Sequence, residues 1–241
     1  MAQFPNSRGL DYFSNRDETG LANPAVMRFF NLVYAWMCVG LALTGGVAWY
    51  ASQHMDIFVR MGRGVFLLFI VELFLVMAIA RAVDRINATT ATLMFLVYSA
   101  INGVVLSAIF LIYAKSTLAA AFFISAGTFG AMSVFGMVTK SDLTGLGRYL
   151  IMALIGIIIA SIVSIFWHNS LLQVAINYIG VLVFVGLTAY HTQKLKNIAY
   201  QTQGNEALAA RYAIIGSLSL YLDFINLFLF ILELLGNRRN D

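Results

Sequence analysis

Residues Ser217-Leu-Ser-Leu-Tyr-Leu-Asp-Phe-Ile-Asn-Leu-Phe-Leu-Phe-Ile-Leu-Glu-Leu-Leu235 form a segment that is almost wholly apolar yet carries a carboxylate, Asp223, near its middle. A run of this length and composition reads as a helix that spans a bilayer. At such a depth a charged side chain costs about 2.5–3.5 kcal/mol on insertion scales and is turned towards protein or water. Steps of three and four residues through Asp223 pick out Gly216, Ser219, Asn226, Phe230 and Glu233. One helical stripe therefore collects nearly every polar group of the segment, and the other faces are Leu, Ile and Phe.

The rest of the chain has the same character. Of its 241 residues 61% are hydrophobic and only 11% charged, and the mean hydropathy is +0.83, which excludes a soluble globular domain. Uncharged runs extend over Phe29–Met55, Ile86–Ala114, Ser116–Thr139 and Tyr149–Gln193. The last is long enough for two spans, and Trp167-His168-Asn169-Ser170 is its natural break. Two further spans each hold a central acid, Gly64–Ala80 around Glu72 and Tyr212–Leu235 around Asp223. The expectation is an all-α polytopic membrane protein with seven transmembrane helices: Phe29–Ala51, Gly64–Ala80, Thr89–Tyr113, Thr117–Val138, Leu146–Phe166, Leu171–Tyr190 and Tyr212–Leu235. The longest loop is expected between His191 and Arg211.

Residues 1–24 form a polar tail of mixed charge ahead of the seven-helix domain, residues 25–241. No apolar run resembling a signal peptide precedes the first span, which is expected to act as its own insertion signal. Both prolines lie in the tail, so helix kinks are expected at glycine. With the N-terminus inside, the inner segments hold ten of the fifteen Lys and Arg residues, which predicts a cytoplasmic N-terminus and an outer C-terminus. The net charge of +4 is then topological. No basic groove interleaved with aromatics suggests nucleic acid as a partner. Cys38 is the single cysteine, so there is no disulfide framework. The rows Gly156, Ala160, Ser164 and Gly127, Ala131 predict close helix packing.

Two stretches carry a resemblance. Gly180-Val-Leu-Val-Phe-Val-Gly-Leu-Thr-Ala-Tyr-His-Thr-Gln-Lys-Leu-Lys196 and Leu218-Ser-Leu-Tyr-Leu-Asp-Phe-Ile-Asn-Leu-Phe-Leu229 closely resemble the Bax inhibitor-1 family, and Thr139-Lys-Ser-Asp-Leu143 is similar to its short polar turn. The likeness is to the bacterial branch and implies the inner (plasma) membrane. It implies six helices around a central seventh and a pH-sensitive leak for Ca²⁺. In that family two aspartates, one ending helix six and one within helix seven, share a proton beside an arginine. Asp223 matches the second position. His191 stands at the first, where relatives usually carry Asp. A His and an Asp attract when both are charged, whereas two carboxylates repel, so the same switch would run on different chemistry here.

Asp223 reads either as a carboxylate held by Ser219, Asn226 or a tyrosine, or as the gate of an ion path. His191 is either a surface residue or its partner, and the two meet only if helix six runs deeper than its apolar stretch. The latch arginine would be Arg81 or Arg85, with Arg81 nearer the span. Glu72 and Asn102, the latter on a stripe with Ser99 and Ser107, either bond each other or line a path for Ca²⁺ or protons together with Asn226, because oxygen ligands suit hard cations and a carboxylate can relay a proton. Glu233 departs from the basic residue many relatives carry at the outer end.

No enzyme is expected: zinc chemistry needs about three converging ligands, and His54 and His168 are predicted outside but His191 inside. No cofactor motif occurs. The rival class is a membrane-embedded regulator that binds and restrains another membrane protein, such as a quality-control protease, through residues 1–24.

Overall fold

The computed structural model describes residues 23–54, 75, 87–167 and 169–236. Among them the regular structure is helical throughout: α1 (Pro24–Ser52), α2 (Ala88–Leu106), the single turn α3 (Ile109–Ile112), α4 (Lys115–Val138), α5 (Thr144–Phe166), α6 (Ser170–Gln201) and α7 (Glu206–Leu235). Among the described residues six helices are long and apolar enough to cross a bilayer, α2 and α3 together counting as one. The chain is a multi-pass membrane protein. The expected Gly64–Ala80 span, with Glu72, and Arg81, Arg85, His168 and residues 1–22 lie outside the described residues.

Asparagine starts four of these helices. The side chains of Asn23, Asn87, Asn169 and Asn205 accept from backbone N–H groups in the first turns of α1, α2, α6 and α7, which would otherwise lack partners. Asp142 does the same for α5, accepting from the Thr144 N–H at 2.9 Å. The Thr144 side chain and N–H hold the Asp142 carboxyl below its usual range. Gly236, at φ 58°, closes α7 in the left-handed region where a side chain would be strained.

The expected loop from His191 to Arg211 is mostly helix. α6 runs on to Gln201, and α7 begins at Glu206. Polarity marked where the apolar stretch ends, but Gln, Lys, Leu and Ala are good helix formers and carry the helix further. The reversal is confined to the few residues around Gly204, whose φ is +84°.

The break in the second described crossing is also not at glycine. It falls at Ser107 and Ala108, where the Ser107 hydroxyl donates to the Val104 carbonyl at 2.6 Å and competes with the helical ladder. Nearby Gly103 serves packing instead, letting α2 approach the Thr44 carbonyl and Val47 of α1. The glycines that open the predicted packing rows touch no described neighbour: among the described residues a Cβ on Gly127 or Gly156 would meet nothing within 4 Å, while Ala160 of the second row does pack against the core. Small residues permit close approach but do not supply the neighbour. The glycines at true contacts are Gly40, Gly103, Gly136, Gly147, Gly180, Gly186 and Gly216.

α7 is the inner helix of the described bundle. It packs on α6, α1, α4 and α2, whereas α5 packs chiefly on the outer side of α6. Leu220, Tyr221 and Leu227 of α7 are fully buried. The outward faces carry large apolar side chains, among them Phe123, Leu171 and Leu182, as a surface solvated by lipid requires. α1 and α2 are parallel neighbours, since Gly40 meets Phe95 and Thr44 meets Gly103 further along both. The N-terminal ends of α1, α2 and α7 share one end with the C-terminal ends of α4 and α6, as Val26 and Met137 beside Lys196, and Ala88 beside Ala210, show.

Candidate functional site

His191 and Asp223 meet. The imidazole Nδ1 lies 2.6 Å from the carboxylate Oδ2, with the Asp223 side chain 3% and the His191 side chain 24% exposed. Helix geometry explains the contact. His191 is ten residues, about 15 Å, before the end of α6, and Asp223 seventeen residues, about 26 Å, past the start of antiparallel α7. Side chains lean towards their own helix N-terminus, so His191 leans away from the Gly204 turn and Asp223 towards it, which closes the offset. Extending α6 beyond Tyr190 is what makes the meeting possible.

Other polar groups around Asp223 are engaged elsewhere. Ser219 donates to the Ile215 carbonyl at 3.2 Å and Asn226 to the Leu222 carbonyl at 2.7 Å, both within α7. Neither bond involves Asp223. Tyr221, two residues away and so on the opposite side of α7, shares a 2.7 Å hydrogen bond with Thr44, whose hydroxyl donates to the Ser99 carbonyl at 2.8 Å. Asn102 belongs to that second region. Its Nδ2 lies 3.4 Å from the Tyr98 hydroxyl, and Tyr98 packs edge-on against Tyr221. Its Oδ1 is buried with no hydrogen-bond partner among the described residues. Ser99 and Ser107 bond carbonyls of their own helix.

Thus the expected residues divide. Asp223 and His191 form one site with Asn226 a turn beyond, Asn102 lies across α7 from it, and Glu72 and Arg81 fall outside the described residues. At the far end Glu233 accepts from Gln173 at 3.0 Å. Two groups were missed in the predicted loop, Gln193 and Lys196 of α6. The repeat Thr188, Thr192, Leu195, Ala199, all buried, continues the helical period through that stretch and was the available signal.

Chemically, the pair is a small charge switch. With the Nδ1 proton donated to Asp223, a bare Nε2 leaves the pair at −1, and a protonated Nε2 brings it to zero. One unit of charge at 4 Å from a cation is worth about 4 kcal/mol per unit of the cation's own charge at an effective dielectric near 20.

The model of the family described as "Inhibitor of apoptosis-promoting Bax1" matches residues 26–240. The chain belongs to the Bax inhibitor-1 family. Among bacterial relatives, the inner membrane protein YbhL of Escherichia coli is 44% identical over 234 residues, covering 95% of this chain and all of that protein. An uncharacterized protein of Borreliella burgdorferi is 42% identical, covering 89% of this chain and 94% of its own length. The Rickettsia prowazekii protein RP147 is 40% identical, with 88% and 91% covered. As a member of the Bax inhibitor-1 family, the chain places a histidine against the helix-seven carboxylate.

Proposed function

We propose that this Bax inhibitor-1 family protein is a pH-sensitive cation leak of the bacterial inner membrane, passing Ca²⁺ rather than catalysing a reaction, with Asp223 as the gate. The observation that carries the reading is the 2.6 Å contact between His191 and an almost fully buried Asp223 on the inner helix. Intramembrane acids mark ion and proton paths. A neutral pair ties the carboxylate to the imidazole. Loss of the Nε2 proton leaves a net negative site that attracts a cation, so the leak rises from the acidic to the alkaline side. Asn226, one turn further along α7, offers a neutral oxygen on the same stripe. Arg81 would latch the gate, and Glu72 and Asn102 would hold or pass the ion, by family resemblance.

The test is Ca²⁺ flux into liposomes from about pH 5.5 to 8, the range in which histidine changes charge. Asp223→Asn is expected to abolish the pH dependence. An unchanged rate and profile would remove Asp223 from the gate.

A further inference from the structure

Within six residues α6 grips three different elements. His191 reaches Asp223 on α7. Gln193 uses both ends of its carboxamide on the turn between α4 and α5, accepting from the Leu143 N–H at 2.8 Å and donating to the Ser141 carbonyl at 2.7 Å. Lys196 Nζ donates to the Met137 carbonyl at 2.7 Å, placing a cation on the last turn of α4 where free carbonyls and the helix dipole favour one. Gly136 of α4 packs directly on the Ala189 carbonyl and Thr192 with no side chain between.

His191 and Gln193, two positions apart, project from nearly opposite sides of α6. About 6 Å from the helix axis, a rotation of about 20° sweeps about 2 Å, and that takes a 2.7 Å contact out of hydrogen-bonding range. α6 cannot turn His191 away from Asp223 while Gln193 keeps both of its bonds. Glutamine suits the position because one planar group must accept and donate at once.

We propose that Gln193 is a positioning residue that couples the turn Thr139–Leu143 to the buried pair. The pair and the turn hold one rotational setting of α6, so breaking either loosens the other by the same coupling. The coupling goes beyond ion passage and stands on helix geometry alone.

The experiment places a single cysteine at Ser141 in a Cys38→Ser background and measures its labelling rate by a water-soluble maleimide in native membranes. Ser141 meets Gln193 through its backbone carbonyl, so the substitution spares the bond. His191→Ala and Gln193→Met are each expected to raise the rate several-fold, while a cysteine at Gln53, near the other end of α1, keeps its rate. If His191→Ala raises both rates, the bundle has loosened and the milder Asp223→Asn decides in its place. An unchanged rate at position 141 in the folded pair variant overturns the proposal. The reverse arm follows the His191 ring by NMR. Gln193→Met is expected to move its titration and Asn197→Ala, exposed on the same helix, to leave it in place; a titration indifferent to Gln193→Met makes Gln193 a mere surface residue.

Discussion

Tyr221 and Asp223 of α7, separated by one residue, face different partners: Tyr221 bonds Thr44 of α1 at 2.7 Å and Asp223 bonds His191 of α6 at 2.6 Å. The inner helix therefore has a structural side and a titratable side. Tyr221→Phe removes one buried hydrogen bond but keeps the edge-on ring packing on Phe95 and Tyr98. It is expected to cost about 1 kcal/mol in detergent unfolding and to leave the pH profile of the leak where it was. A moved profile would show that the two sides are not separate.

The pair itself is costly to break from one side. His191→Ala strands a buried carboxylate and is expected to lower stability by about 3 kcal/mol at neutral pH. The loss shrinks in acid, where the stranded group takes up a proton and no longer carries charge. Thermal unfolding of the variant at two pH values reads this directly, and an equal loss at both would mean that Asp223 is not charged in the native protein.

His191→Asp installs the residue that the family resemblance implies at this position and replaces an attractive pair by two carboxylates. The leak is expected to persist with its pH midpoint displaced. A midpoint that stays put would make His191 a bystander.

Glycine substitutions separate real contacts from apparent ones. Gly103→Ala drives a Cβ into the Thr44 carbonyl and Val47, and is expected to cost about 1–3 kcal/mol. Gly156→Ala meets nothing within 4 Å among the described residues and is expected to be neutral or stabilising by up to about 1 kcal/mol. Their order in a detergent melting series checks that Gly156 lacks a packing neighbour.

Asn102 is a sharper case. Its Oδ1 has no partner among the described residues, so Asn102→Leu is expected to leave stability unchanged or higher. Loss of leak without loss of stability in that variant would keep Asn102 on the ion path. Full leak would confine its role to the α2 packing around Tyr98.

Much of this was legible in the chain. Apolar runs located every described crossing, those of α2 with α3, α4 and α5 to within two residues, because hydrocarbon thickness sets their length. The stripe through Asp223 marked the face of α7 that turns inward, since a carboxylate in lipid is turned towards protein, while the inner place of that helix was implied by the family resemblance. What polarity could not show was where α6 ends: the apolar stretch stops at Tyr190 but the helix continues for eleven residues, carrying His191, Gln193 and Lys196 into contact with α7, the turn and α4. Nor could small residues reveal their neighbours. Gly127 and Gly136 look alike in sequence, yet one touches no described neighbour and the other touches a facing backbone. The residue at the Ser107 break was hidden for a similar reason, because a serine bonds its own helix in many contexts without bending it.

The measurement that bears most directly on the pair is the titration of the His191 imidazole by NMR, set beside the pH profile of Ca²⁺ flux in the same liposomes. If the pair is the sensor, the two midpoints coincide, and Asp223→Asn moves the imidazole midpoint while flattening the flux profile. An imidazole that titrates at the same pH in both proteins, or far from the flux midpoint, would contradict it.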